Sequence, residues 1–597
     1  MKKNIFYLIL TLVILQVAGC KKDGFLQDGS FSGGNDVTEA QLWANPDYAR
    51  NFLNNVYASL SDRYNLGDGA LLASGSDEAV NSNQNAPIST LNNGTWSPVR
   101  TFDDVYGDMY VGIRKANMFL EKIDAAAIVP IDEVLPANVP ENQTLASQIE
   151  RLKGQAYFLR AFFEFELLKR YGSFPIVTKT LTINDNLDLP RNTFDQCIAQ
   201  ISADCESAIT RLPASPFDWN TVNRGRAAGT SAMALKSRML LYAASPQYNP
   251  SGDGSKWQAA ADAAKRLMDT GKHGIYASYQ NIWLWNVSGA AYNNEVIFAT
   301  QTLNTNTIEL NNAPISYDGA NGRTNPTQEL VDAFEMKTTG KSITDAGSGY
   351  VATNPYANRD PRLGFAILYN STSIQPATAP GNAAYLLTQF KGKPVETFVG
   401  GKDGLGLNVN ATKTGYYMRK YLSENAVWTG TATNVRRPWI FFRYAEVLLN
   451  YAEALNEAQG AAALTEILKS VNAVRQRKAT GTSAQNVDMP PLQTTNPSGA
   501  GYVAPTKEEL RKRIHNERRV ELCFEEHRFY DVRRWKEGET TFNKPVTGMR
   551  IVQLTPTTFS YTPFVVESRA FTARNYLYPI SQNELNKAPS LGQNPGY

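Results

Sequence analysis

The sequence predicts a mainly α-helical protein whose paired helices form a helical-repeat superhelix with a loop-rich, minor-β second half. Apolar residues recur at helical spacing on both sides of residues 275–440. Within that interval Gly, Asn, Pro and Thr become dense, and no clean repeat period can be read. No Ser- or Pro-rich linker divides the chain, so we expect one domain over residues 20–597, with its helical frame mainly at 40–270 and 440–540.

The composition is that of an ordinary folded protein. Of 597 residues, 42% are apolar and 19% charged, with a formal net charge of +3. Because Lys2 and Lys3 lie in a segment that should be removed, the mature protein is near neutral, which argues against a nucleic-acid partner. The four cysteines and three histidines show no metal-ligand spacing, so we expect no metal and no other cofactor. Cys197 and Cys205 would lie about 12 Å apart along a helix, too far for a disulfide, and are expected to be buried thiols.

The first twenty residues have the pattern of a lipoprotein signal peptide. Lys2 and Lys3 precede an apolar stretch over 5–15, and the stretch ends in Val17-Ala18-Gly19-Cys20. We expect residues 1–19 to be removed and the Cys20 thiol to carry a diacylglyceryl anchor. The alternative is an ordinary signal peptide cut nearby, with an incidental cysteine. No later apolar run is long enough to span a bilayer, so the predicted protein is anchored to a membrane without crossing it.

Helical periodicity is clearest just after residue 443. Between Tyr444 and Leu455 the apolar residues follow one helix face, and charged residues share the opposite face. The segment 147–171 is much more apolar, which predicts a helix through the middle of the array. The predicted helices span 46–62, 104–124, 147–171, 192–211, 226–245, 256–270, 441–458, 463–478 and 506–535.

The loop-rich segments are the places where function is expected. Short strand-like runs occur at 295–300 and 365–369, and residues 63–102 form a second irregular region rich in asparagine. Ordered loops of this length in a compact protein usually carry its binding or catalytic groups.

Five stretches, in order along the chain, resemble the SusD/RagB family of outer-membrane nutrient-binding lipoproteins. They are 154–175, 325–334 with 359–363, 443–454, 517–535 and 593–597. A glycine is common in the family where Glu526 stands here.

The resemblance implies four tetratricopeptide-type helix pairs with a looped second half packed on them. It also implies a partner, a SusC-like TonB-dependent outer-membrane transporter, to which such lipoproteins deliver captured oligosaccharides, or peptides in the RagB branch. In the family, acidic residues after the lipidated cysteine direct export to the cell exterior; here Lys21 and Lys22 precede Asp23, a weak version of that signal. Fold and family alone do not fix the ligand.

The charged motif near the end of the chain is interpreted as structural. Glu517, Glu521 and Glu525 repeat every four positions, as expected for ion pairs that join neighbouring helices. A glycoside hydrolase would need two carboxyl groups about 5–10 Å apart across a bound sugar. The acid pairs of this chain are adjacent on single segments, and no nucleophile elbow or phosphate loop occurs. We therefore expect no enzymatic activity, and a surface glycoside hydrolase is the remote alternative. The acid pairs are Asp77-Glu78, Asp103-Asp104 and Glu525-Glu526.

Aromatic and amide side chains in the loops are the candidate ligand contacts. Aromatic faces stack on pyranose rings, and amides or carboxylates bond adjacent hydroxyls. Trp96 follows an asparagine-rich run that begins at Asn81. Trp283 and Trp285 would share one face of a strand. The alternative is that these rings pack the loops onto the frame, as expected for Trp43, Trp439 and Trp535. The predicted binding residues are Asn81, Trp96, Trp283, Trp285, Tyr317 and Asp318.

Overall fold

The computed structural model describes most of the chain between residues 39 and 597. The described ranges are 39–44, 46–125, 145–219, 223–283, 292–300, 305–317, 319–372, 394–423, 438–478 and 486–597. The α-helices are α1 (Glu39–Ala44), α2 (Pro46–Tyr57), α3 (Ser89–Asn92), α4 (Tyr106–Lys122), α5 (Leu145–Tyr171), α6 (Phe194–Ile209), α7 (Gly229–Ala244), α8 (Gly254–Met268), α9 (Thr307–Asn312), α10 (Gln328–Ala333), α11 (Arg362–Ala366), α12 (Tyr444–Gln459), α13 (Leu464–Arg475), α14 (Lys507–Glu521), α15 (His527–Arg534), α16 (Gly538–Thr541) and α17 (Gln582–Lys587). The strands are β1 (Ala79–Asn81), β2 (Val296–Ala299), β3 (Thr324–Pro326), β4 (Ile367–Leu368), β5 (Tyr417–Met418), β6 (Ile440–Arg443), β7 (Val546–Thr555) and β8 (Thr558–Glu567).

The long helices form one continuous packed series. From α4 to α8 each helix packs on the next, α8 packs on α12, and α12 packs on α13 and α14. The contact between α8 and α12 closes the array across the loop-rich segment that separates these two helices in sequence. This confirms the predicted mainly α-helical, tetratricopeptide-like fold with minor β structure.

Local signals explain several helix boundaries. Thr193 caps α6 by accepting a hydrogen bond from the backbone N–H of Gln196, whose side chain bonds back to Thr193. Thr327 likewise caps α10, because its side chain accepts a hydrogen bond from the backbone N–H of Leu330. The apolar helix predicted at 147–171 is α5, which runs from Leu145 to Tyr171.

The single helix predicted over 506–535 is wrong. The chain breaks between α14 and α15, where Phe524 and Glu526 have φ values of 65° and 68°. This left-handed conformation cannot continue an α-helix and is strained for a residue with a side chain. Lys420 holds the break in place, because its Nζ donates to the Cys523 carbonyl at 2.8 Å and to Glu525 at 2.7 Å. The positive φ explains why a glycine suits the position of Glu526.

Four two-stranded antiparallel sheets lie within the described residues. The strand predicted at 295–300 is confirmed as β2, which pairs with β6. The run predicted at 365–369 is only partly a strand, since Phe365 belongs to α11 and β4 begins at Ile367. Strands β7 and β8 form a long hairpin that was not predicted. None of the helices in the described ranges is long and apolar enough to cross a membrane.

Two large hydrophobic cores divide the molecule. The first lies within the helical frame and includes Trp43 and the phenylalanines of α5. The second lies in the loop-rich half and is rich in aromatic residues, including Trp439. Burial of Trp43, Trp439 and Trp535 agrees with the prediction that these three are core residues. Cys197 and Cys205 are buried free thiols, as expected.

Candidate ligand-binding site

Buried ion pairs fix the loop-rich half of the molecule to α14. Glu517 contacts Arg362 at 2.6 Å and Arg475 at 2.8 Å. Glu521 contacts Arg443 at 2.7 Å and Arg477 at 2.6 Å. Burial by itself raises the pKa of Glu521, but the surrounding arginines outweigh it and hold that pKa well below its ordinary value. The glutamates of this motif therefore join elements of the structure, as the sequence predicted.

Trp96 lies in the core of the helical frame. Its ring meets Tyr578 edge-on with 4.5 Å between centroids and Tyr597 with 6.3 Å, and its side chain is 1% exposed. A ring buried to this degree has no free face for a pyranose. The expectation that Trp96 forms a stacking platform is therefore corrected, because this residue packs the asparagine-rich loop against the C-terminal segment.

Trp283 and Tyr317 are buried in the other core, that of the loop-rich half. Lys420 Nζ lies 4.2 Å from the Trp283 ring centroid, and the ring also meets Tyr279 edge-on. Each of the two predicted contacts is 2% exposed. The structure therefore neither brings Trp96 together with these rings nor presents them at the surface.

The remaining predicted contacts have different outcomes. Trp285 and Asp318 lie outside the described residues, and their contact with a ligand stays a prediction. Asn81 is buried, its amide donates to the Gly67 carbonyl at 2.7 Å, and its side-chain oxygen accepts from the N–H of Asn83 at 3.0 Å. Asn81 thus supports the loop and is not itself presented to a ligand.

The short β1–β3 sheet joins the two segments that the sequence singled out. Ala79 pairs with Pro326 and Asn81 with Thr324. One residue further on, the N–H of Ser82 donates to the Arg323 carbonyl at 2.9 Å. The asparagine-rich loop and the segment before the 325–334 motif therefore lie side by side.

A set of amide, carboxylate and guanidinium side chains gathers around this sheet, and we call it the amide surface. Asn311 donates to the Asn65 side chain at 2.6 Å, and Asn83 donates to Asp68 at 2.7 Å. Asn65 and Asp68 are exposed. The amide surface comprises Asn65, Asp68, Asn83, Asn311, Asn321, Arg323 and Asn410.

The amide surface has the chemistry that recognises hydroxyl groups. Each amide offers a donor and an acceptor, and the carboxylate and guanidinium add a strong acceptor and a planar donor. Mutual hydrogen bonds hold these groups in place, which lowers the entropy lost when a ligand orders them. Gly69 permits the close approach of the loop, because its φ is +85° and a Cβ there would lie 2.5 Å from Asn311 Cγ.

Only part of the amide surface can be predicted from the sequence. The asparagine-rich run indicates the loop that carries Asn83. The contributions of Asn311, Arg323 and Asn410 were missed, because no local pattern shows that three separated segments converge. The pairs Asn311-Asn312 and Asn408 with Asn410 in an irregular region were the available signals.

The fold and the amide surface together define a helical-repeat protein with a polar face suited to hydroxyl groups. The sequence pattern of the SusD family matches residues 294–597, and a second pattern, described as starch-binding associating with outer membrane, matches residues 46–241. The chain belongs to the SusD family.

Three relatives illustrate this kinship. "SusD-like protein P2" of Formosa agariphila is 26% identical over 466 residues, which cover 76% of this chain and 75% of the relative. A SusD-like protein of Bacteroides fragilis superposes with a TM-score of 0.73 at 28% identity, covering 94% of this chain and 99% of its own. A laminarin-binding SusD-like protein has the same fold, with a TM-score of 0.62 at 22% identity over 93% of this chain and 100% of its own.

Proposed function

We propose that this chain captures oligosaccharides at the outer membrane and delivers them to a SusC-like TonB-dependent transporter. The observation that carries the proposal is the amide surface, whose side chains suit adjacent hydroxyls and which a SusD-family frame holds in place. Two solved neighbours support the ligand class, since one is named for carbohydrate binding and another for laminarin binding. The protein acts by binding, without chemistry on the glycan.

At least one acid of each pair considered for catalysis is engaged in an ion pair. Asp77 meets Arg528 at 2.8 Å, and Asp103 meets Arg170 at 2.9 Å. Glu525 meets both Lys420 and Arg443 at 2.7 Å. Carboxylates held in this way serve the structure, which supports the proposal of a binding protein over that of a hydrolase.

A ligand screen tests the proposed function. Native gels cast with laminarin, starch and other neutral polysaccharides should retard the protein, and chromatography of the incubated glycans should show no shortened products. Hydroxyl-rich ligands lose much of their binding energy to desolvation, so we expect dissociation constants of about micromolar to millimolar. Binding to peptides alone would favour the RagB-like alternative, and shortened products would indicate a hydrolase.

The membrane anchor and the transporter partner belong to the same proposal. Cys20 lies outside the described residues, and the Val17-Ala18-Gly19-Cys20 junction is what supports its lipidation. A tethered binding protein has no route of its own across the membrane, which is why a transporter is required. Gentle detergent extraction and affinity purification should recover a barrel of roughly 100 kDa, the size of a plugged 22-stranded transporter. Repeated recovery of this chain alone would count against the partnership.

A further inference from the structure

A small polar cavity lies where α10, α14, α15 and the start of β7 meet. Its volume is about 170 Å³. The cavity shares no residue with the amide surface. Its charged lining consists of Asp77, Glu329, Arg519, Arg528, Lys544 and Arg569.

One carboxylate in this cavity forms ion pairs with two guanidinium groups. Arg528 binds Asp77 through two hydrogen bonds of 2.8 Å each, and Arg519 contacts the same carboxylate at 2.9 Å. Burial by itself raises the pKa of Asp77, but the two arginines outweigh it and keep that pKa well below its ordinary value. Asp77 is therefore charged, and it balances only one of its two arginines.

Glu329 is a second carboxylate of the lining, so the charge left without a counterpart is that of Lys544. Arg569 is balanced by Glu567 at 2.7 Å, outside the cavity lining. The Glu329 carboxylate accepts the N–H and the hydroxyl of Thr547. Lys544 is exposed and forms no ion pair within the described residues. Four cationic groups thus meet three carboxylates.

The neighbouring Glu78 does not cancel the positive charge of the cavity lining. Burial, and then the charge of Asp77, raise the pKa of Glu78 to about 8, so this neighbour is largely uncharged at pH 7. The Nε–H of Arg519 is buried and donates no hydrogen bond within the part of the chain that the structure describes. A buried guanidinium N–H without an acceptor is costly.

We propose that this cavity is a binding site for a single oxyanion group, such as a sulfate, phosphate or carboxylate. The guanidinium groups of Arg519 and Arg528 supply planar donors suited to such a group, and Lys544 supplies a mobile charge at the exposed side. The volume admits one such group and excludes a whole sugar chain. The site goes beyond the proposed glycan binding and does not depend on it.

Calorimetric titration of the full-length protein with sodium sulfate tests the site, with sodium chloride at equal ionic strength as the reference. We expect saturable binding of one sulfate per chain. Lys544→Gln should weaken sulfate binding about threefold to fivefold, the size of one solvent-screened ion pair. Lys469→Gln is the matched control, because Lys469 is an exposed lysine on α13, and it should leave the affinity unchanged.

A second variant keeps the charge and removes the planar guanidinium donors. Arg519→Lys should weaken sulfate binding about tenfold, as expected for a lost charge-assisted hydrogen bond. Parallel titrations with phosphate, glucuronate and glucose distinguish a free inorganic ion from the carboxylate of an acidic sugar, and glucose should not bind here. Heats from sulfate equal to those from chloride, or wild-type sulfate affinity in Lys544→Gln, would overturn the proposal. Neutral polysaccharide binding should be the same in both variants, so failure of this site leaves the proposed function standing.

Discussion

Arg443 and Glu521 form an ion pair of 2.7 Å between side chains that are 1% and 0% exposed. Arg443 precedes α12, and Glu521 is the last residue of α14. The same guanidinium reaches Glu295 at 2.8 Å, next to β2, and Glu525 at 2.7 Å, in the break after α14. One arginine therefore ties the helical frame to the first strands of the loop-rich half.

Arg443→Met should destabilise the protein by about 3–5 kcal/mol, because it leaves buried carboxylates without their partner. Urea unfolding followed by tryptophan fluorescence measures this change. Lys512→Gln is the control, because its pair with Glu508 at 3.6 Å is exposed, and its unfolding midpoint should not change. A midpoint for Arg443→Met equal to that of the wild type would show that other contacts hold the two halves together.

Trp96→Ala should lower the free energy of unfolding by about 3–5 kcal/mol, the usual cost of removing a large core side chain. Trp96→Phe should cost less, because it keeps an aromatic contact with Tyr578. Glycan affinity of the folded fraction should be retained in both variants. Loss of binding at unchanged melting temperature would restore Trp96 to the ligand site.

Stability should fall with rising pH through the titration of Glu78. Its pKa is about 8 in the folded protein and about 4.5 ordinarily, so the folded state retains a proton that the unfolded state releases between these values. The stabilisation from this retained proton is complete below about pH 4.5. Between about pH 4.5 and pH 8 the free energy of unfolding falls by about 1.4 kcal/mol per pH unit.

Glu78→Gln removes this titration and should flatten the profile. Urea unfolding at pH 5, 6, 7 and 8 should show Glu78→Gln gaining on the wild type as the pH rises. Glu508→Gln, at an exposed position, should follow the wild-type profile. Parallel profiles for the wild type and Glu78→Gln would mean that Glu78 is already ionised in the folded protein.

Cys20→Ala should abolish incorporation of labelled palmitate and release the protein from the membrane fraction. The reason is that several acyl chains on one residue provide the anchoring energy, at about 0.8 kcal/mol for each buried methylene. Protease treatment of intact cells then reports whether the wild-type protein faces the exterior. Unchanged membrane retention of Cys20→Ala would refute the lipid anchor.

Local patterns were sufficient for most of the helical frame. The segment predicted at 192–211 is α6, Phe194–Ile209, because its capping threonine and apolar stripe are both encoded within the helix. The break after Glu521 was not predictable in this way. Phe524 is left-handed, and its neighbour Cys523 accepts a hydrogen bond from Lys420, which comes from a distant part of the chain.

Local patterns are also insufficient to tell which loop side chains reach the surface. Nothing near Trp96 indicates that Tyr578 and Tyr597 cover its ring, since both come from the end of the chain. Asn81 was singled out as a ligand contact, yet the pleat of β1 turns it inward to support Asn83. Composition indicates the loop that carries Asn83, and tertiary packing decides which of its side chains reach the surface.

The glycan affinity of the double variant Asn65→Ala/Asn311→Ala tests the role of the amide surface most directly. The two amides form a hydrogen bond with each other at 2.6 Å, so removing both side chains leaves no unpaired amide behind. Calorimetry with a polysaccharide that the screen identifies should show a loss of about tenfold or more at unchanged melting temperature. Asn184→Ala, at an exposed asparagine outside the amide surface, should bind like the wild type. Wild-type affinity in the folded double variant would contradict the assignment of glycan binding to the amide surface.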